Sequence, residues 1–362
     1  MKENQIESVQ ALRGLAALAV MFFHYRWILN LDTPGLGDQL FGLGAVGVDL
    51  FFIISGFVIT LSIKRTQPKQ ISTVIFIKKR AIRLLPAYYV LLLITFLFSG
   101  AMSTFHYPEK VRNLLSALTF TPYDAAHAPF YVDASGMYGI RWTLNYEIYF
   151  YLITAVSLFF RKNWLVLYGF FACSLVALPL FAGFTPTLNV SGYNFGSAHV
   201  NLMTNPIIWQ FLAGVTIGLL YPYLKNTPAK WSFPLLFLAI AAAVWGMYFN
   251  GYNNHGIDSA GAFLTLLFLA VVICDRYLAR YTPRFLVYLG KISYSLYLLH
   301  TMLNTALDGR IDKLGISYGW PRFILYSVFA ILLAHFSYKY IEQWFSRKLS
   351  SGKTTTSHAK PA

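Results

Sequence analysis

The chain has 362 residues, of which 57% are hydrophobic and only 12% charged. Soluble globular proteins carry about 25% charged residues, so the composition excludes an ordinary water-soluble domain; 25 Tyr and 31 Phe instead suit a chain with many rings at a membrane interface. The net charge of +15 suggests a polyanionic partner, but its uneven distribution between alternate connections, set out below, argues against nucleic acid.

A helix needs about 20 apolar residues to cross a bilayer. Ten blocks meet that length, at residues 11–29, 44–63, 82–100, 143–160, 164–184, 206–222, 232–249, 261–278, 285–304 and 320–340. They predict an all-α integral membrane protein of about ten transmembrane helices. Leu114 to Phe120 is apolar but too short to span, and is expected to re-enter or to lie at the interface. Of the 29 Lys and Arg, 18 fall in one alternate set of connections and 5 in the other. By the positive-inside rule this places both termini in the cytoplasm, as an even number of spans also requires. Odd-numbered spans then run outward and even-numbered spans inward.

The first block lacks a convincing cleavage site and is expected to remain as an anchor. Cys173 and Cys274 fall inside blocks and read as packing residues, not as a disulfide or a metal site. Residues 1–349 read as one membrane domain, followed by a short polar tail, 350–362, expected to be disordered. Two outer loops are long. Ala101 to Arg141 carries several His and Tyr residues; Thr185 to Asn205 has no Asp, Glu, Lys or Arg and is rich in Asn, Ser, Gly and aromatics. Such a loop suits a neutral sugar, or simply an interfacial position.

Ionisable groups within spans cost roughly 2.5–3.5 kcal/mol each on insertion scales and are functional candidates by default. The candidates include Arg13, His24, Arg26, Asp49, Arg83, Glu147, Lys291, His300, His335 and Lys339. His24 lies 11 residues beyond Arg13, a rise of about 16 Å within about 20° of three full turns, so the two share a face. Position along the blocks puts His24, Asp49, Glu147 and His300 at one outer depth, with Arg13, Arg80, Arg83 and Lys291 in a cationic layer nearer the cytoplasm. Arginines at an inner mouth suit a phosphate-bearing ligand; a histidine beside a carboxylate suits proton transfer. The plainer readings are positive-inside anchors for Arg80 and Arg83, snorkelling for Arg26, a cap for Asp49, and structural roles for His335 and Lys339.

Five segments carry a resemblance: Leu12-Arg13-Gly14 running to Phe23-His24; Gly47-Val48-Asp49-Leu50-Phe51-Phe52 running to Ser55-Gly56-Phe57; Lys79-Arg80-Ala81-Ile82-Arg83; Trp142-Thr143-Leu144-Asn145-Tyr146-Glu147; and Ser293-Tyr294-Ser295-Leu296-Tyr297-Leu298-Leu299-His300. In this order the chain resembles the membrane acyltransferase-3 family, bacterial enzymes of the inner membrane that decorate surface and exported glycans. The resemblance implies transfer of an acyl group, usually acetyl, from cytoplasmic acyl-coenzyme A to an acceptor on the outer side, such as an O-antigen, exopolysaccharide or peptidoglycan sugar, free or lipid-linked. It implies His24 as the catalytic residue, Arg13, Arg80 and Arg83 as donor-binding residues, and Glu147 as the family's acidic residue. No permanently bound cofactor or metal is expected; acyl-coenzyme A enters as co-substrate. Some members carry a fused SGNH-type domain, and this chain is expected to be of the stand-alone form.

Together these readings make His24 a general base or an acyl carrier, with Glu147 or Asp49 orienting it, and give His300, Tyr297 and Trp142 supporting roles. The competing class is a glycan or lipid transporter, which shares the spans and the buried charges but moves its substrate without consuming a thioester.

Overall fold

The structure is a computed structural model and describes residues 6–65, 73–99, 103–134 and 138–350. The polar tail beyond Ser350 lies outside the described residues. All ten apolar blocks fall on helices, as they must where no water is present to satisfy backbone groups. We label these α1 (Glu7–Asp32), α2 (Gly47–Arg65), α3 (Thr73–Ser99), α4 (Trp142–Ser157), α5 (Asn163–Phe181), α6 (Ile208–Leu224), α7 (Ala229–Phe249), α8 (Ala260–Leu278), α9 (Arg284–Lys313) and α10 (Trp320–Leu349). Among the described residues, eight helical segments are long and apolar enough to cross a membrane. The other two of the ten are α4, with 16 residues, and α9, whose 30 residues include several charges near both ends.

Backbones approach closely where glycines face each other. A Cβ at Gly290 of α9 would lie 1.9 Å from the Gln10 carbonyl oxygen of α1, and one at Gly214 of α6 would lie 1.9 Å from that of Ile53 of α2. Only small residues permit such contact between membrane helices. A second contact in each pair fixes direction: His300 meets His24 further along α9 and α1, and Gly218 meets Thr60 further along α6 and α2, so α1 and α9 run parallel, as do α2 and α6, as alternating topology requires. Because no side chain can enter either contact without moving a backbone, Gly214→Val is expected to lower the melting midpoint of the detergent-purified protein and much of its monodisperse yield. Size-exclusion elution with a thermal melt checks this, and an unchanged midpoint would show a looser α2–α6 contact.

Two connections set the depth of the site, and both correct the expectation drawn from block edges. First, residues 36–46 descend along α1 before α2 begins: a Cβ at Gly37 would meet the Arg26 carbonyl oxygen at 2.0 Å, at Gly44 that of Ala19 at 2.2 Å, and at Gly47 that of Ala16 at 2.7 Å. Asp49 therefore lies level with or below Ala16, about 12 Å inward of His24. Second, the chain before α4 is already inside the bundle. Tyr131, Val132, Tyr138, Ile140 and Arg141 are buried, and Tyr297 of α9 donates to the Ile140 carbonyl at 3.1 Å. The short helix Pro108–Thr119 docks at mid-height on α3, where Tyr88 and Tyr89 donate to the Ala117 and Leu118 carbonyls at 2.8 Å. The segment ending in Phe120 thus folds into the bundle. Helix α4 starts at depth, and Glu147 lies about 7.5 Å further in than Trp142.

Candidate functional site

Helices α1, α2, α3, α4 and α9 enclose a cleft of about 880 Å³, counting the part open to solvent. Helix α2 supplies an apolar wall of Val48, Phe51, Phe52, Ile54 and Val58. The facing wall is polar: Arg13 from α1, Arg80 and Arg83 from α3, Thr143, Glu147 and Tyr151 from α4, and Ser293, Tyr294 and Tyr297 from α9. The three arginines of the expected cationic layer therefore converge on one cavity. Lys291 does not join them; it is exposed and off the cleft.

Local geometry explains the convergence. Glu147 and Tyr151 are one turn apart on α4, so their side chains meet, and Tyr151 donates to the Glu147 carboxylate. The Arg80 guanidinium carbon lies 5.5 Å from the ring centres of Phe76 and Tyr151, held as a cation over aromatic faces. Glu147 is thus the carboxylate that lines the arginine cleft. It belongs to the inner layer, not the outer one.

On α9, Ser293, Tyr294, Tyr297 and His300 recur at helical spacing and form a strip running up from the cleft. Tyr297 shares a 2.8 Å hydrogen bond with Thr143, and its ring centre lies 5.6 Å from that of His300. His300 in turn meets His24, with ring centres 4.8 Å apart and Nε2 of His300 3.3 Å from Nδ1 of His24. Nδ1 of His24 lies 2.8 Å from the Val20 carbonyl oxygen, and Nδ1 of His300 lies 3.2 Å from that of Leu296. A carbonyl only accepts, so both Nδ1 atoms carry hydrogen in the neutral rings. These tautomers leave Nε2 of His24 with a free lone pair, the atom a general base requires.

Neither carboxylate orients His24: among the described residues no hydrogen bond joins it to Asp49 or Glu147. Asp49 is fully buried and accepts from Gln210, from His255 Nδ1 at 2.5 Å and from the Gly256 amide at 2.9 Å. Burial pulls the His255 imidazole down, but Asp49 against Nδ1 more than offsets this and holds it above the ordinary histidine value. Asp49 therefore orients an imidazole, though His255 rather than His24, and ties the 250–259 loop to α2 and α6. Trp142 packs its ring 5.9 Å from His255 and 5.0 Å from Phe130.

Sequence reasoning missed His255, Gln210, Tyr151 and Glu342. The spacing of Glu147 and Tyr151 on one predicted helix was a usable signal; the others meet the site only through tertiary contacts. Arg26 turns outward to Asp38, at 2.7 Å. His335 bonds Tyr288, and Lys339 is exposed; neither lines the cleft.

Comparison with known proteins bears on what such a cleft does. The family model described as an acyltransferase domain matches residues 6–338. The chain is 29% identical over 296 residues to the exopolysaccharide production protein ExoZ of Rhizobium meliloti, covering 77% of this chain and 81% of that protein. It is 27% identical to nodulation protein 10 of Rhizobium leguminosarum, covering 92% and 91%. It is 26% identical to a putative O-acetyltransferase of Staphylococcus aureus, covering 96% of this chain but 58% of that longer protein. No solved structure matches. The family match over nearly the whole chain sets the transporter reading aside. The chain belongs to the acyltransferase-3 family and is a multi-pass membrane acyltransferase.

Proposed function

We propose that the protein is an inner-membrane O-acyltransferase that carries an acyl group, acetyl by default, from cytoplasmic acyl-coenzyme A to a hydroxyl of a carbohydrate at the outer face. The observation that carries this reading is the convergence of Arg13, Arg80 and Arg83 on one cleft walled by apolar α2. Guanidinium forks suit the phosphates of coenzyme A, and the apolar wall suits its pantetheine arm. The rise from Arg13 to His24, about 16 Å, is a distance that arm covers when extended. The names of the relatives, an exopolysaccharide production protein and a putative O-acetyltransferase, favour a carbohydrate acceptor and an O-acetyl product.

In this reading Nε2 of His24 takes the proton of the acceptor hydroxyl. The acceptor oxygen bonds to the thioester carbonyl carbon, the carbon–sulfur bond breaks, and the thiolate leaves with that proton as free coenzyme A. His300 holds the His24 ring, and Tyr297 with Thr143 lines the passage between arginines and imidazoles. The excess of Lys and Arg in one alternate set of connections supports cytoplasmic termini, and in that orientation the arginine end of the cleft faces the donor.

Calorimetry on the detergent-purified protein tests the donor assignment. Coenzyme A is expected to bind with micromolar affinity, and its analogue lacking the 3′-phosphate about tenfold more weakly, the size of one lost charge-assisted contact. Folded protein that binds neither compound would remove coenzyme A as donor.

A further inference from the structure

Three arginines on one cleft inside a membrane domain, Arg13 and Arg80 of them partly buried, repel one another and call for counter-charge when no ligand is present. Glu147 is one such charge. A second comes from a part of the chain outside the ten apolar blocks. Near its end α10 loosens into a π-helical turn, Tyr338–Glu342, which packs against α3, the helix bearing Arg80 and Arg83, and against α9. The turn aims Glu342 inward, where its carboxylate accepts from Ser295 of α9, whose hydroxyl also lies 2.8 Å from that of Ser337. Ser295 neighbours Ser293 and Tyr294 of the cleft lining. Glu342 is within electrostatic reach of both Arg83 and Arg13, yet no ion pair within 4 Å holds it to either among the described residues. Its carboxylate is anchored by the Ser295 hydroxyl, beside the cleft.

We propose that Glu342 is a positioning residue of the donor site, an internal stand-in for the donor's phosphate that neutralises Arg13 and Arg83 in the empty enzyme and yields them when an anionic donor arrives. This rests on the donor reading above. Two carboxylates against three arginines leave the empty cleft weakly cationic. That keeps the fold tolerable without ligand and limits how tightly the donor is held, so product coenzyme A leaves after transfer. A purely structural Glu342, serving only to tie α10 to α9, has the opposite signature, because its loss would loosen the cleft and weaken every ligand.

The sign of the effect is therefore the test. Glu342→Gln keeps a hydrogen-bonding group for Ser295 and removes the charge. It is expected to bind coenzyme A about 3- to 10-fold more tightly than wild type, the scale of one unit charge beyond ion-pair distance, about 10 Å off, in a well-screened site. The unliganded variant is expected to melt lower than wild type, with a larger upward shift on adding coenzyme A. Glu342→Asp, which restores the charge, is expected to return both readings toward wild type. Unchanged or weaker binding by a Glu342→Gln protein that elutes as folded would overturn the proposal. Failure of the wild type itself to bind coenzyme A would instead strike the donor reading on which the proposal rests.

Discussion

Arg13→Ala is expected to weaken coenzyme A binding by about 1.5–3 kcal/mol, roughly 10- to 150-fold, the range for hydrogen bonds to charged groups. Arg80 and Arg83 come from α3, whereas Arg13 comes from α1 and reaches the same cleft from a different helix. A ligand phosphate held between them is clamped from two helices, and removing Arg13 takes one whole side of the clamp. Arg80 also leans on the Phe76 and Tyr151 rings. Its truncation would therefore lose packing as well as charge, which makes Arg13 the cleaner probe. Arg13→Lys is expected to fall between, since an ammonium keeps the charge and loses the planar fork. Calorimetric titration at fixed ionic strength measures all three proteins, and elution as a single species controls for folding. An unchanged dissociation constant in Arg13→Ala would move the phosphate site away from α1.

What the sequence revealed and what it hid divide along one physical line. Properties carried within a single helix were legible. Apolar block length located all ten helices, and the 11-residue spacing of Arg13 and His24 followed from helix geometry alone. The arginines were legible too, because Arg80 and Arg83 recur three residues apart on one helix. Depth across helices was not. Depth measured from the edges of the apolar blocks puts Asp49 and Glu147 level with His24. But the chain turns inward at Leu36, in a stretch diluted by Gly, Asp and Gln, and α4 begins at Trp142 after a loop that has already sunk into the bundle. Hydropathy records neither event, because a polar or glycine-rich segment buried against protein looks the same as one in water. Partner identity was equally hidden. His24 with His300, Asp49 with His255, and Ser295 with Glu342 are contacts between segments 276, 206 and 47 residues apart. No periodicity encodes them.

His24→Ala is expected to lower acyl transfer by about 10²- to 10⁴-fold, the usual contribution of general-base catalysis, while leaving coenzyme A affinity within twofold of wild type. The split follows from where the groups lie. In the proposed reading the cleft arginines hold the donor, and His24 connects to the cleft lining through ring contacts of the α9 strip, Tyr297 with His300 and His300 with His24. Removing the imidazole takes away the lone pair at Nε2 and leaves the cleft arginines in place. His24→Gln is a sharper variant, since its amide can still donate toward the Val20 carbonyl yet offers no base; it is expected to be as inactive as alanine. His300→Gln is expected to lose less, about tenfold, since the proposed reading gives His300 the part of holding the His24 ring it contacts. Free-thiol release from acetyl-coenzyme A, followed alongside alkali-labile acetate on the surface carbohydrate of cells carrying each variant, reads the chemistry. Calorimetry on the same proteins reads binding. A His24→Ala enzyme that transfers at the wild-type rate would remove the imidazole from the reaction. One that loses coenzyme A affinity together with activity would place His24 in donor binding and leave the base to be sought elsewhere, with the Asp49-held His255 the next imidazole to examine.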